Sequence, residues 1–182
     1  FLRETRTYEI IEDVKNFRSE IGVLFLNSYN RDVLTKMFDD NRLTYTSLFK
    51  ARPHIFVSKS NPLAKHEVVS LEDLEDFPYL SYDQGIHNSF YYSEEILSQI
   101  PHKKSIVVSD RATLFNLLIG LDGYTIATGI LNSNLNGDNI VSIPLDIDDE
   151  IDIVYLKHEK ATLSKMGEKF LDNLVKEVTF DN

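Results

Sequence analysis

Residues 49–82, FKARPHIFVSKSNPLAKHEVVSLEDLEDFPYLSY, decide how the rest of the chain is read. Pro53 to Lys59 is apolar and β-branched enough for a strand, and the dipeptide Asn61-Pro62 punctuates it with a turn that sets off Leu63-Ala64. Ser70 with Asp73 three residues on is a capping box, in which each side chain satisfies a free backbone donor of the other, so the pattern predicts a helix opening at Leu71. A second strand follows around Pro78 to Ser81. The stretch therefore reads as strand, turn, capped helix and strand.

Alternating elements continue on both sides of it. Upstream, Phe1 to Arg6 reads as the end of a strand, and Tyr8 to Phe17 carries apolar residues at 8, 10, 11, 14 and 17, near the helical repeat. Ile21 to Leu26, IGVLFL, is a near-continuous apolar run, as expected of a strand buried on both faces of a parallel sheet. Asp32 to Phe38 is a helix with Val33, Leu34, Met37 and Phe38 inward, and Leu43 to Phe49 is a strand that leads through Pro53 into the next as one crossing segment. Downstream, Ser89 to Ile100 is predicted as a helix closed by Pro101, and Ser105 to Ser109 as a short strand. Asp110 caps a helix over Arg111 to Ile119 with Leu114, Leu117 and Leu118 as its apolar stripe. Gly120 and Gly123 turn the chain into a strand, Tyr124 to Thr128, and Gly129 bends it away. Residues 132–139 read as a loop, Ile140 to Leu145 and Ile151 to Leu156 as strands, and Leu163 to Val178 as an amphipathic helix.

Composition narrows the function. A formal charge of −10 argues against this stretch of chain gripping a phosphate backbone, which takes clustered Lys and Arg. Zero cysteines remove disulfides, thiolate metal sites and cysteine nucleophiles. No apolar run approaches the ~20 residues of a membrane helix. His54, His66, His87, His102 and His158 show no ligand spacing, and the acidic run from Asp146 to Asp152 lacks the pattern of a calcium loop, so no metal is expected. No nucleophile elbow, phosphate loop or dinucleotide fingerprint is present, so neither a catalytic site nor a cofactor is expected. What remains is a set of polar loops expected at the carboxyl ends of parallel strands, where open α/β sheets bind ligands and free helix N–H groups favour an anion. These are Asn27 and Ser28, Tyr82 to Ser89, Asp110 to Thr113, and Thr128 with Gly129.

Three segments, in order, resemble one family. They are TYEIIEDVKNFRSEIGVLFL (7–26, with Glu20 where an Asp is usual), NPLA with VSLEDLEDFPYL (61–80), and DRATLFNLLIGLDGYTIATGI (110–130). Together they resemble the effector-binding domain of LysR-type transcriptional regulators. The resemblance implies an α/β fold similar to the type II periplasmic binding proteins: two Rossmann-like lobes joined by two crossover strands, with a small-molecule effector in the cleft between them. Lobe I would be 1–47 plus 147–182 and lobe II 48–146. The family's first βα unit and its N-terminal winged helix-turn-helix would precede Phe1, so either the gene runs longer than this chain or lobe I is completed through a partner.

The ligand-binding residues that the resemblance implies are Asn27, Ser28, Ser81, Tyr82, Asp83, His87, Asn88, Thr128 and Gly129. It also implies a homodimer or homotetramer in the cytoplasm, with DNA contacted only through the segment before Phe1 and no membrane partner. The effector would be an amino-acid-related or anionic metabolite, since RETRTYEII (3–11) resembles a Gram-positive branch that handles sulfur amino acids. A transport receptor of the same fold is the alternative, and an enzyme similar to prephenate dehydratase a third class.

Overall fold

A computed structural model describes residues 1–131 and 138–180, with side chains as far as residue 176. The chain divides into two compact units, Phe1–Ala51 with Ile151–Asn182, and Arg52–Glu150.

In the first unit, helix α1 (Thr7–Lys15) leads into strand β1 (Gly22–Leu26), and helix α2 (Arg31–Asp40) into strand β2 (Leu43–Ala51). Strand β8 (Ile151–His158) lies between β1 and β2 and is antiparallel to both. The parallel sheet expected here is therefore not what these three strands form. An apolar run of this length serves either kind of sheet, and β1 alternates buried and half-buried residues along its length. Ile11 and Val14 of α1 and Leu34 and Phe38 of α2 are buried, whereas Val33, expected inward, is exposed. Phe1 to Arg6 forms no strand; Arg3 reaches across to Asp13 (2.6 Å) and Glu9 (3.0 Å), and Arg18 holds the other oxygen of Asp13 at 2.8 Å. The closing helix, α4 (Lys165–Phe180), starts two residues later than expected and is anchored by Ser164, whose hydroxyl donates to Glu20 (2.9 Å). Leu171 is its buried contact, while Met166 and Phe170 of the expected stripe are exposed and the side chain of Val178 lies outside the described residues.

In the second unit five strands run in the order β5-β4-β6-β3-β7. They are β3 (His54–Ser58), β4 (Tyr79–Tyr82), β5 (Ser105–Val108), β6 (Tyr124–Ala127) and β7 (Ile140–Pro144). β4, β5 and β6 are mutually parallel, and β3 is antiparallel to β6 and β7. Helix α3 (Arg111–Gly120) covers one face, packing Leu114 and Leu118 on Phe56, Leu80, Val108 and Ile140. Asp110 caps it as expected, accepting from the Thr113 N–H at 2.8 Å.

Two predicted helices of this unit are shorter than expected. The capping box forms in full, with Ser70 N–H and Oγ both donating to Asp73 (2.8 Å each), yet it opens only a single 3₁₀ turn, Glu72–Leu74. Residues 89–100 hold one 3₁₀ turn, Phe90–Tyr92, followed by irregular turns in which Leu97 takes a positive φ of 62°. Serines at 89, 93 and 98 compete for backbone partners and weaken a helix there. The loop expected over 132–139 falls largely outside the described residues.

Candidate functional site

The parallel trio of the second unit brings three of the sequence-predicted loops to one edge of its sheet. The carboxyl ends of β4, β5 and β6 place Asp83, Asp110 and Thr128 along that edge. Asp83 N–H donates to the Val108 carbonyl (2.8 Å), extending the ladder, and its own Oδ1 accepts from Gly85 N–H (2.8 Å) in a turn where Gly85 has φ 63°. Gly129 has φ 82°, and a Cβ there would sit 2.5 Å from Nδ1 of His54. Only glycine meets both conditions without strain. Arg111 lies over the Tyr82 ring, 5.6 Å from its centroid, on the α3 side of the sheet.

Side chains alternate along a strand, so Leu80 and Tyr82 face α3 while Tyr79 and Ser81 face the other way. With Ser105 and Val107, their register partners on β5, they floor a cavity of about 420 Å³ roofed by residues 83–102. Of the sequence-predicted residues, Ser81, Tyr82, Asp83 and Asn88 line it; His87, Thr128 and Gly129 do not. Asn27 and Ser28 belong to the first unit, at the carboxyl end of an antiparallel strand. Asn27 is buried, and its Oδ1 accepts from the N–H groups of Tyr29 (3.1 Å) and Asn30 (3.0 Å), so it shapes the entry to α2; Ser28 is exposed.

Tyr79, Glu95 and His102 escaped the sequence reading. His102 stacks on Tyr79 with ring centroids 3.8 Å apart, and its Nδ1 lies 3.0 Å from the Tyr124 hydroxyl. Burial lowers the pKa of His102, against the opposing pull of the Leu97 carbonyl, and pushes the Tyr124 phenol up to about 12. Burial, reinforced by the nearby Glu95 and Tyr124, raises the Tyr79 phenol well above its ordinary value. Glu95 is 3% exposed, with Oε1 accepting from Tyr82 N–H (2.9 Å) and Oε2 bonded to the Ser93 hydroxyl (3.2 Å). Burial raises its pKa to about 8, against the Tyr82 and Ser93 bonds and with the help of neighbouring Glu94. No spacing in YYSEEILSQI singles Glu95 out, because a helix through those residues would leave it free to face water.

The lining offers hydroxyls, the side-chain amides of Gln84 and Asn88, an imidazole and phenols, with Asp83 as its one carboxylate and no Lys or Arg. Among the described residues no three His, Asp or Glu gather as metal ligands, and no helix is long and apolar enough to cross a membrane.

A family model described as the LysR substrate binding domain matches residues 2–179. No curated protein sequence matches the chain. Among solved structures, a LysR family transcriptional regulator from Pseudomonas aeruginosa aligns with 97% of this chain and 59% of its own length, at 16% identity and a TM-score of 0.63. The effector binding domain of QuiR, solved with shikimate, aligns over 95% of this chain and 78% of its own, at 18% identity and TM-score 0.62. For the BenM effector binding domain with its effector benzoate the figures are 97%, 77%, 19% and 0.63. At these identities the likeness is one of fold, that of two α/β units each built on its own sheet, and the chain spans 59% of the Pseudomonas regulator's length. With residues 2–179 matched, the chain belongs to the LysR substrate binding domain family.

Proposed function

We propose that this chain is the effector-sensing part of a LysR-type transcriptional regulator, with its two units as the regulatory lobes. The observation that carries the proposal is the cavity under residues 83–102, which opens beside the carboxyl ends of the parallel strands and is lined by serines, side-chain amides and phenols. A small molecule held there, by Ser81, Tyr82, Asp83 and Asn88 with His87, Thr128 and Gly129 at the rim of the same sheet edge, would order the 83–102 segment. Asn27 and Ser28 would serve the other unit. The effector binding domains of QuiR and BenM, similar to this chain in fold, are described with shikimate and benzoate, which supports a small-molecule ligand. Coupling of such binding to an attached DNA-binding segment is typically worth ~1–3 kcal/mol, enough to change operator occupancy severalfold to a hundredfold.

In this reading the protein turns nothing over, works in the cytoplasm as a homo-oligomer, and touches DNA only through sequence encoded upstream of Phe1. The deciding experiment is to sequence that upstream coding DNA. A basic helix-turn-helix segment joined by a long helix is the expected result. A secretion leader in its place overturns the regulator and makes the chain a transport receptor.

A further inference from the structure

Residues 83–102 are fastened at both ends, and Glu95 pins them in the middle. At the start Asp83 N–H donates to the Val108 carbonyl (2.8 Å); just past the end Lys103 pairs with Glu75, and Lys104 Nζ donates to the Asp76 carbonyl (2.8 Å). Between these points the segment holds a single 3₁₀ turn, Phe90–Tyr92. Gly85 and Leu97 take left-handed backbone (φ 63° and 62°), which a side chain with a Cβ adopts only at a cost. Its buried side chains are Gln84, Ser93, Glu95 and Ile96.

Glu95 reaches a gap in the sheet. Backbone N–H groups along a strand point alternately to its two neighbours. Tyr79 and Asp83 give theirs to the carbonyls of Lys104 and Val108 on the β5 side, so the Tyr82 N–H points to the β6 side. There β6 pairs with β4 at Tyr79–Tyr124 and runs no further alongside it. Glu95 Oε1 takes the place of the absent strand, accepting from the Tyr82 N–H at 2.9 Å, while Oε2 is bonded to the Ser93 hydroxyl at 3.2 Å.

Both partners are neutral. The ionisable groups around this carboxyl are Glu94 and His102 on its own segment, Tyr79 and Asp83 on and beside β4, Tyr124 on β6 and Arg111 on α3. Glu94 repels its charge, and among the described residues no Lys or Arg pairs with it; Arg111 lies over the Tyr82 ring instead. A carboxylate 3% exposed, with two neutral donors and no counter-charge, is better solvated by water than by this site. Its ionised form is therefore favoured where the segment has moved off β4.

We propose that residues 83–102 are a cover over the cavity of the second unit, latched to β4 by the neutral Glu95 carboxyl and released as that carboxyl ionises. The cavity is the one assigned above to a small molecule, so the regulatory meaning of the latch, capture of ligand that weakens as pH rises, rests on the sensor reading; the latch itself does not.

The test is amide hydrogen exchange, followed by NMR on this chain between pH 5 and pH 8 and corrected for intrinsic base catalysis. A carboxyl that holds its proton more tightly in the closed form, up to about 8 against the ordinary 4.5, makes opening easier as pH rises between those values. Protection of the Tyr82 N–H is expected to fall about tenfold per pH unit over that span. At every pH it is expected to lie at least about tenfold below that of the amides of β3, a strand paired on both sides, because the cover opens without the sheet. In Glu95→Gln, which keeps both hydrogen bonds and cannot ionise, the protection of Tyr82 is expected to be level with pH. Should that variant fail to fold, the Glu95 carboxyl carbon of the unaltered chain is titrated instead: a midpoint of about 8 is expected, and one near 4.5 overturns the latch. Tyr82 protection that is constant with pH, or that falls equally in Glu95→Gln, also overturns it. Equal protection at Tyr82 and β3 makes the opening global and removes the cover. Neither ligand nor DNA enters these measurements, so they stand or fall apart from the sensor reading: a secretion leader upstream of Phe1 would end that reading and leave the cover in place.

Discussion

At the residue scale Glu95 is the most consequential side chain of the second unit. It ties the roof of the cavity to β4 through the Tyr82 N–H, yet burial holds its carboxyl near pH 8 rather than the ordinary 4.5. An acid whose folded pKa is raised binds its proton more tightly in the folded state than in the unfolded one. Folding stability is therefore complete below pH ~4.5 and falls as pH rises toward 8, by up to ~1.4 kcal/mol per pH unit. Glutamine preserves both hydrogen bonds, its Oε1 accepting from Tyr82 and its amide donating to Ser93, and cannot ionise. Glu95→Gln should thus flatten the decline of melting temperature between pH 5 and pH 8 that the unaltered chain shows. Parallel melting curves for the two proteins across that range would show Glu95 to be ionised already if their slopes agree. None of this was legible in the sequence, where Glu95 is one of two adjacent glutamates in a segment with the composition of an exposed helix.

At the scale of elements, local chemistry was legible and extent was not. Asn61 shows the first: its Oδ1 accepts from the Leu63 N–H (2.9 Å) to cap the 3₁₀ turn Pro62–Lys65, as its place before proline suggests. Its second role is tertiary, since Nδ2 donates to the Asp122 carbonyl (2.8 Å) in the turn between α3 and β6. With Asn61 only 1% exposed, Asn61→Ala strands partners on two elements, and a loss of ~1–3 kcal/mol is expected in urea denaturation. A loss under ~0.5 kcal/mol would mean that water replaces both bonds. The Ser70–Asp73 box shows the second point. Its hydrogen bonds form as read, but a cap specifies where a helix begins and not how far it runs; Pro78 and the return to β4 stop this one within a turn. Residues 89–100 fail as a helix where serines at 89, 93 and 98 offer the backbone other partners and Leu97 takes a positive φ of 62°.

For the molecule as a whole, charge separates sensing from gripping. A net −10 over 182 residues leaves this chain without the cationic surface that neutralises phosphates. The isolated chain is expected to give no change in fluorescence anisotropy with labelled duplex DNA at about 0.1 M salt, however the duplex is varied. A saturable response there would place DNA contacts within these residues and contradict the division of labour proposed above.

Residues 61–80 and 110–130, read in order with 7–26, were enough to identify the family, because capping, turn and strand signals are local and survive in the chain's spelling. The loops at the ends of β4, β5 and β6 were legible for the same reason. Only the tertiary structure decided that β8 enters between β1 and β2 antiparallel to both, and that Tyr79 of β4 lies beside Glu95 and His102 of the segment 83–102. Strand direction and the burial of a polar group depend on which distant residues come to lie alongside, and on whether water is left between them. Neither is written in spacing along the chain.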